Sequence, residues 1–209
     1  LIFVGLTQSQ RDYLEESVAV YNRSVNLAAE YLAQRGITEQ VANMFRLGVV
    51  NDPLIGHEQY RGRLAIPYVT PTGVIDIRFR SLGDAEPKYL GLAGAKTHLF
   101  NASAILAADN YIAVAEGEID TITLQACGIP AVGVPGVNNW KPHYTRILQD
   151  FDVVYVFADG DQPGQDFAKH LAKELPNVHT VNIEDGEDVN SLFVKKGSGY
   201  IREKIGLLP

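Results

Sequence analysis

Four short apolar runs in the carboxy-terminal half, separated by helical patterns, constrain this fold more than any other feature of the chain. They fall at 111–116, 131–134, 153–158 and 178–183, and amphipathic stretches at 118–127, 142–149 and 163–174 lie between them. Strand and helix in strict alternation specify a parallel sheet covered by helices on both faces. Three of the runs lead into acids in a fixed order: Glu116-Gly117-Glu118-Ile119-Asp120, Asp159-Gly160-Asp161 and Asp185-Gly186-Glu187-Asp188. The carboxyl ends of strands in such a sheet line one crevice, so these acids converge although they are far apart in sequence.

Converging carboxylates suit a divalent cation. Magnesium takes a few carboxylate oxygens and completes its shell with water and substrate phosphates. Glu116 closes the first run and Asp120 follows one helical turn later, so both are expected to face the crevice. Glu118 is expected to face solvent or to favour the helix amino end. Gly160 permits a tight turn that lets Asp159 and Asp161 point the same way. Taken singly, an Asp-Gly-Asp is usually a solvated turn and an acid in a first helical turn a dipole partner; three acids at successive strand ends are harder to explain so. Asp188 either completes the cluster or caps the helix that begins near Val189, and Asn190 is placed to hydrogen-bond metal-bound water. Gly136, in the loop 134–139 before a helix amino end, is a candidate phosphate cradle. Trp140 either stacks on a base or packs against the sheet.

The net charge of −7 argues against nucleic acid until it is divided. Residues 1–105 hold ten basic and ten acidic residues, residues 106–209 eight and fifteen, so the whole excess lies with the acid motifs. Bound cations offset such charge locally, and a polyanionic ligand remains compatible with it. Two functional halves are expected, 1–105 and 106–209. The single cysteine, Cys127, falls in an apolar helical pattern, and no Cys or His spacing suits zinc. Nothing resembles a signal peptide or a membrane span, which points to a cytoplasmic protein.

In the amino-terminal half, 8–23 reads as an amphipathic helix, with further helices at 27–35, ending at Gly36, and 39–46, capped by Thr38. A hairpin follows, 61–68 and 74–80 about a turn at 70–73. A symmetric turn sets Arg63 opposite Arg80 and Ala65 opposite Arg78, with Arg61 further along that face. Leu64, Ile66 and Tyr68 then share one buried face with Ile75, Ile77 and Phe79. Like charges facing across strands favour a bound anion between them, a phosphate backbone or nucleoside triphosphate; a solvated edge that guards against aggregation is the other reading. No aromatic platform is evident in this basic region.

A strand-end Glu followed by Asp-x-Asp resembles the Toprim domain, shared by DnaG-type primases, type IA and type II topoisomerases and several nucleases. The resemblance extends further. Leu27 to Ile37, Phe45-Arg46-Leu47-Gly48, Arg63-Leu64-Ala65-Ile66-Pro67, Arg80 and Pro87-Lys88-Tyr89-Leu90 are similar, in order, to the catalytic core of DnaG-type primases, over about residues 10–197. This implies an α/β fold, a Toprim-type parallel sheet flanked by helices and preceded by a smaller α+β subdomain. It implies that Glu116, Asp120, Asp159, Asp161 and Asp188 form a face binding Mg2+ or Mn2+, and that Arg63, Arg80 and Lys88, with Arg61 and Arg78 beside them, meet template, primer or nucleotide.

The implied activity is metal-dependent synthesis of short RNA primers on single-stranded DNA from ribonucleoside triphosphates, in a bacterial or phage-infected cytoplasm. A separate zinc-binding module and a replicative helicase are the implied protein partners. The alternatives are a Toprim nuclease, which would activate water with the same metals, and a non-catalytic nucleic-acid-binding replication module. The chain departs from the family pattern in two places: Phe100 is followed by Asn101 and Ala102 where a basic residue is usual, and Asn190 stands where a second Asp is common. The family's zinc domain, the helical end of its core and its helicase-binding tail have no counterpart in these residues. The chain is expected to be either a fragment or a compact phage-type primase.

Overall fold

The computed structural model describes residues 5–136 and 139–208, and the chain divides into two compact units, Leu1–Lys96 and Thr97–Pro209. The first unit opens with α1 (Gln8–Asn22), held at its amino end by a Thr7/Gln10 capping box. A 3-10 turn (Val25–Ala28) leads to α2 (Ala29–Gln34), which stops at Gly36 in the left-handed region (φ 64°). Thr38 caps α3 (Glu39–Met44) by accepting the Val41 N–H, as its position predicts.

An antiparallel sheet follows in the order β1 (Gly48–Val49), β2 (Leu64–Thr70), β3 (Gly73–Arg80) and β4 (Tyr89–Gly91). At Gly48 a Cβ would lie 2.3 Å from the Tyr21 carbonyl carbon, so only glycine lets β1 approach α1 this closely. One face of the sheet packs on α1 through Leu14, Val18, Tyr21, Ala65, Ile77 and Phe79.

The hairpin register differs from that of a symmetric turn. Near the turn the pairing is as expected, Thr70 with Gly73 and Val69 with Val74, but Tyr68 then pairs with Asp76, leaving Ile75 as an extra residue on β3. This bulge moves every later pair by one position and exchanges the faces. Leu64 therefore lies opposite Arg80, and Ile66 opposite Arg78, while Ala65 and Pro67 lie opposite Phe79 and Ile77. The two apolar sets expected on one face are on opposite faces, and Arg63 does not face Arg80.

The second unit begins with α4 (Ala104–Ala107), and Phe100 pairs with Gly133 by two backbone hydrogen bonds (2.9 and 3.0 Å). Then come β5 (Tyr111–Ala115), α5 (Glu118–Ala126), β6 (Ala131–Gly133), α6 (Pro142–Leu148), β7 (Val153–Phe157), α7 (Gln162–Glu174), β8 (Val178–Val181) and α8 (Val189–Glu203). The four strands are parallel in the order β6-β5-β7-β8. Ile112, Val114, Val154 and Val156 point to one face, against residues of α6 and α7. Ala113, Ala115, Phe157 and Val181 point to the other, against α5 and α8. This is the expected α/β arrangement. Cys127 is buried in the second of these cores, where burial pushes its thiol up to about 11. The chain direction reverses its sideways progress between β5 and β7, so a crevice opens at their carboxyl ends.

Candidate metal and nucleic-acid site

Parallel pairing of Ala115 with Phe157 brings the ends of β5 and β7 side by side. Glu116 follows the first directly, and its Oε1 accepts the backbone N–H of Asp159 at 2.8 Å. Burial raises the Glu116 carboxyl above its ordinary range; the Asp159 N–H opposes this, and the negative charges of Asp161 and Asp120 reinforce it. Gly164 in the first turn of α7 leaves the room: a Cβ there would lie 2.8 Å from Glu116 Oε1 and 2.2 Å from the Asp159 carbonyl oxygen.

Asp161 caps α7, its Oδ1 accepting the Gly164 N–H at 2.8 Å, and Asp188 caps α8 in the same way, accepting the Ser191 N–H at 2.6 Å. The structure thus gives Asp188 the capping role, one of its two expected roles. A carboxylate that caps with one oxygen keeps a second for a cation, so the two roles are compatible. Asp120 is buried, and its Oδ1 accepts the Asn190 N–H at 3.0 Å. Asn190 is also buried, and its amide donates to Thr123 Oγ1 at 2.9 Å, so it ties α8 to α5. Glu118 lies in the first turn of α5, at the helix amino end as one of its two expected positions has it, but it is only 1% exposed rather than in solvent, because α5 packs beneath the sheet from its first turn.

Among the described residues no three Asp, Glu, His or Cys side chains form a ready metal cage. The donor chemistry nevertheless fits magnesium or manganese: carboxylate oxygens without thiolate or imidazole, and a half-buried Glu116 whose anionic form is disfavoured first by burial and then by neighbouring acids. Such a sparse set suits an ion that takes the rest of its shell from water and phosphates.

Two backbone hydrogen bonds join the loops that carry the other acids. Gly160 N–H donates to the Glu187 carbonyl at 2.8 Å, and Gly186 N–H donates to the Gly160 carbonyl at 2.9 Å. A Cβ on Gly160 would lie 2.0 Å from the Glu184 carbonyl oxygen, so Gly160 is required by this contact rather than by its backbone angles. No local pattern in the sequence signals this pairing.

In the first unit the basic region contains an aromatic component that its sequence did not suggest. Tyr89 lies opposite Arg80 in the β3–β4 ladder. The Arg78 and Arg80 guanidinium carbons stand 4.7 and 5.0 Å from the Tyr89 ring centroid, and Arg80 also stands 5.4 Å from the Tyr31 ring. Arg80 donates to the Tyr89 hydroxyl and is 6% exposed. The register itself removes the expected like-charge pair, and Arg78 and Arg80, two positions apart on β3, both stand against the Tyr89 ring. Arg63 donates to the Pro87 carbonyl at 2.8 Å and Arg61 to the Asn51 carbonyl at 2.7 Å, whereas Lys88 is exposed.

The other candidates are more modest. Gly136 is exposed with φ 86°, and its neighbours Val137 and Asn138 in the expected phosphate loop lie outside the described residues. Trp140 packs edge-on to Tyr144 and donates to Thr145 Oγ1 at 3.0 Å, as its packing reading requires. Asn101 adopts φ 54° and donates to the Ala131 carbonyl at 2.8 Å, a structural role at the position where a basic residue is usual.

A Toprim-like family model matches residues 113–193. The gene 57 protein of Mycobacterium phage D29 is 45% identical over 151 residues, covering 70% of this chain and 99% of that protein. The DNA primase of Buchnera aphidicola is 24% identical and aligns with 95% of this chain. The chain belongs to the DnaG-type primase catalytic cores with a Toprim domain. It spans 43% of the length of the Buchnera primase. A solved DnaG primase catalytic domain bound to single-stranded DNA superposes with a TM-score of 0.78 at 23% identity, over 95% of this chain and 80% of that one, and shares its fold. No helix among the described residues is long and apolar enough to cross a membrane.

Proposed function

We propose that the chain is the catalytic core of a DNA primase that condenses ribonucleotides into a short RNA on single-stranded DNA, releasing pyrophosphate. The observation that carries this reading is the Glu116 carboxylate fixed on the Asp159 backbone between two further acids, in a chain of DnaG-type family. Residues 106–209 form the metal-binding part and residues 1–105 the part that meets nucleic acid. Glu116, Asp159, Asp161 and Asp188 hold Mg2+ or Mn2+. The chemistry such an ion supplies when bound is a lowered pKa for an attacking hydroxyl and charge neutralisation on the leaving pyrophosphate.

In this reading Asp120 acts with Glu116 as a catalytic acid of the site, bound at its other side to the Asn190 N–H. Arg61, Arg63, Arg78, Arg80 and Lys88 bind the phosphates of template, primer or nucleotide, and Gly136 offers a further phosphate contact. Tyr89, with Arg78 and Arg80 beside it, gives an incoming base a ring to stack on. Single-stranded DNA and ribonucleoside triphosphates are the ligands, a zinc-binding module and a replicative helicase the protein partners, and a bacterial or phage-infected cytoplasm the setting. That a homologous DnaG domain was solved with single-stranded DNA supports the template assignment.

The test is incubation with single-stranded DNA, labelled ribonucleotides and magnesium or manganese, beside the Asp159→Ala, Asp161→Ala double variant. Oligoribonucleotides made by the unaltered chain alone are the expected result. Cut DNA without added nucleotides would instead identify a nuclease, and an inert chain that still binds DNA would identify a binding module.

A further inference from the structure

Glu184 is bound by three side chains from α8 and its C-cap, Lys196, Tyr200 and Lys204. It accepts from the Tyr200 hydroxyl, from Lys196 Nζ at 3.2 Å and pairs with Lys204 Nζ at 3.2 Å. Lys196 and Lys204 also flank the Tyr200 ring, 4.1 and 4.9 Å from its centroid, so the three groups support one another. Lys204 donates as well to the Asn182 carbonyl at 2.8 Å. The helix breaks at Gly197 (φ 82°, ψ 174°), between Lys196 and the other two partners, and both of its segments reach the same carboxylate.

The Glu184 backbone has a different task. Its carbonyl accepts the Glu187 N–H at 2.9 Å and closes the turn whose far side holds Gly160 by the paired hydrogen bonds already described. Its carbonyl oxygen is also the atom that a side chain at position 160 would strike. One residue thus joins α8 to the turn between Asp159 and Asp161. Glu187 adds a parallel link, accepting from Lys195 and from the Ser191 hydroxyl at 2.5 Å.

We propose that Glu184, clamped by Lys196, Tyr200 and Lys204, is a positioning residue that holds the Asp159-Gly160-Asp161 turn in its metal-binding geometry. The inference rests on the metal reading given above, but the clamp is a property of the chain itself. None of its side chains needs to touch metal, nucleotide or nucleic acid. The groups that orient metal-binding acids commonly control affinity by about 10–100-fold.

The experiment compares the unaltered chain with Glu184→Ala and Tyr200→Phe, the latter removing one hydroxyl and little else. Hydrogen exchange of the Gly160 and Gly186 amides, without metal, reads the clamp; the amides of Val154 and Val156 in β7 serve as an internal control of folding. Mn2+ binding, followed by the loss of the free-ion electron paramagnetic resonance signal, reads the consequence. Exchange about tenfold faster at Gly160 and Gly186 in both variants, with unchanged β7 amides and Mn2+ affinity weakened about tenfold, is the expected result. Unchanged exchange at Gly160, or faster exchange with Mn2+ affinity retained, overturns the proposal. An unaltered chain that fails to bind Mn2+ while its Gly160 amide still responds to Glu184→Ala overturns the metal reading instead, and with it the functional part of the clamp.

Discussion

Glu116 and Asp159, 43 positions apart, meet through one hydrogen bond in which the Asp159 backbone N–H donates to the Glu116 carboxylate at 2.8 Å. The bond gives Glu116 a structural duty beside the proposed metal duty, and two substitutions separate them. Glu116→Gln retains an acceptor for the N–H and removes the charge. It is expected to keep the fold while lowering Mn2+ affinity by tenfold or more, on the order expected for loss of a ligand or its support. Glu116→Ala also leaves a half-buried donor unsatisfied, at about 1–3 kcal/mol. Urea denaturation and Mn2+ titration of the two variants check this; equal losses of stability would show that the hydrogen bond does not matter.

Gly160 tests the contact between the acid loops. Gly160→Ala places a methyl group against the Glu184 carbonyl, where both sides are backbone and neither can rotate away. Overpacking of this kind is expected to cost about 1–3 kcal/mol in urea denaturation. Gly186→Ala meets nothing within 4 Å but has φ 74°, so its cost comes from backbone strain alone. Addition of Mn2+ should recover part of the loss in Gly186→Ala and less in Gly160→Ala, where the turn itself is displaced.

The parallel sheet was legible in sequence because buried strands and amphipathic helices have different periods, and the acids at the strand ends were legible because they interrupt apolar runs. The hairpin and its turn were legible as well, but its register was not, because a single extra residue, Ile75, leaves the alternation on each strand intact while changing which strand faces meet. Burial of Glu118 escaped for a related reason: periodicity places a residue on a helix face but does not say how deeply the helix begins. The Tyr89 contact depends on the β3–β4 register and the Glu184 clamp on a break in α8, both set by tertiary packing.

The basic region should divide into structural and binding residues. Arg80 is 6% exposed between Tyr31 and Tyr89, so Arg80→Ala should lower both stability and affinity for single-stranded DNA. Lys88 is exposed, and Lys88→Ala should leave the unfolding transition in place while weakening DNA binding and reducing its salt slope by about one. Tyr89→Leu should weaken binding with the salt slope retained, because stacking releases no counterions. Fluorescence anisotropy at several salt concentrations distinguishes the three; a Lys88→Ala variant with an unaltered slope would remove Lys88 from the phosphate path.

His57 gives a pH dependence whose sign is fixed by its surroundings. Its Nδ1 lies 2.7 Å from the Tyr21 hydroxyl, and the rings of Tyr13, Tyr60 and Phe79 enclose it at 5.2–5.5 Å. Burial lowers its pKa below the ordinary 6.5, and the charge of Glu58 offsets this only in part. The unfolded chain therefore takes up a proton more readily than the folded one, and stability contributed by neutral His57 is complete above about pH 6.5 and lost as the pH falls below it. Glu184, held near about 2 by Tyr200 and the lysines, loses its contribution only below the ordinary carboxylate value of 4.5. The raised Glu116 works in the opposite direction, with stability falling as pH rises through its folded value, and cancels when His57→Gln is compared with the unaltered chain. Urea denaturation between pH 5 and 7.5 should give a steeper loss on acidification for the unaltered chain than for His57→Gln; parallel curves would mean that His57 is protonated as easily in the folded protein as in the unfolded one.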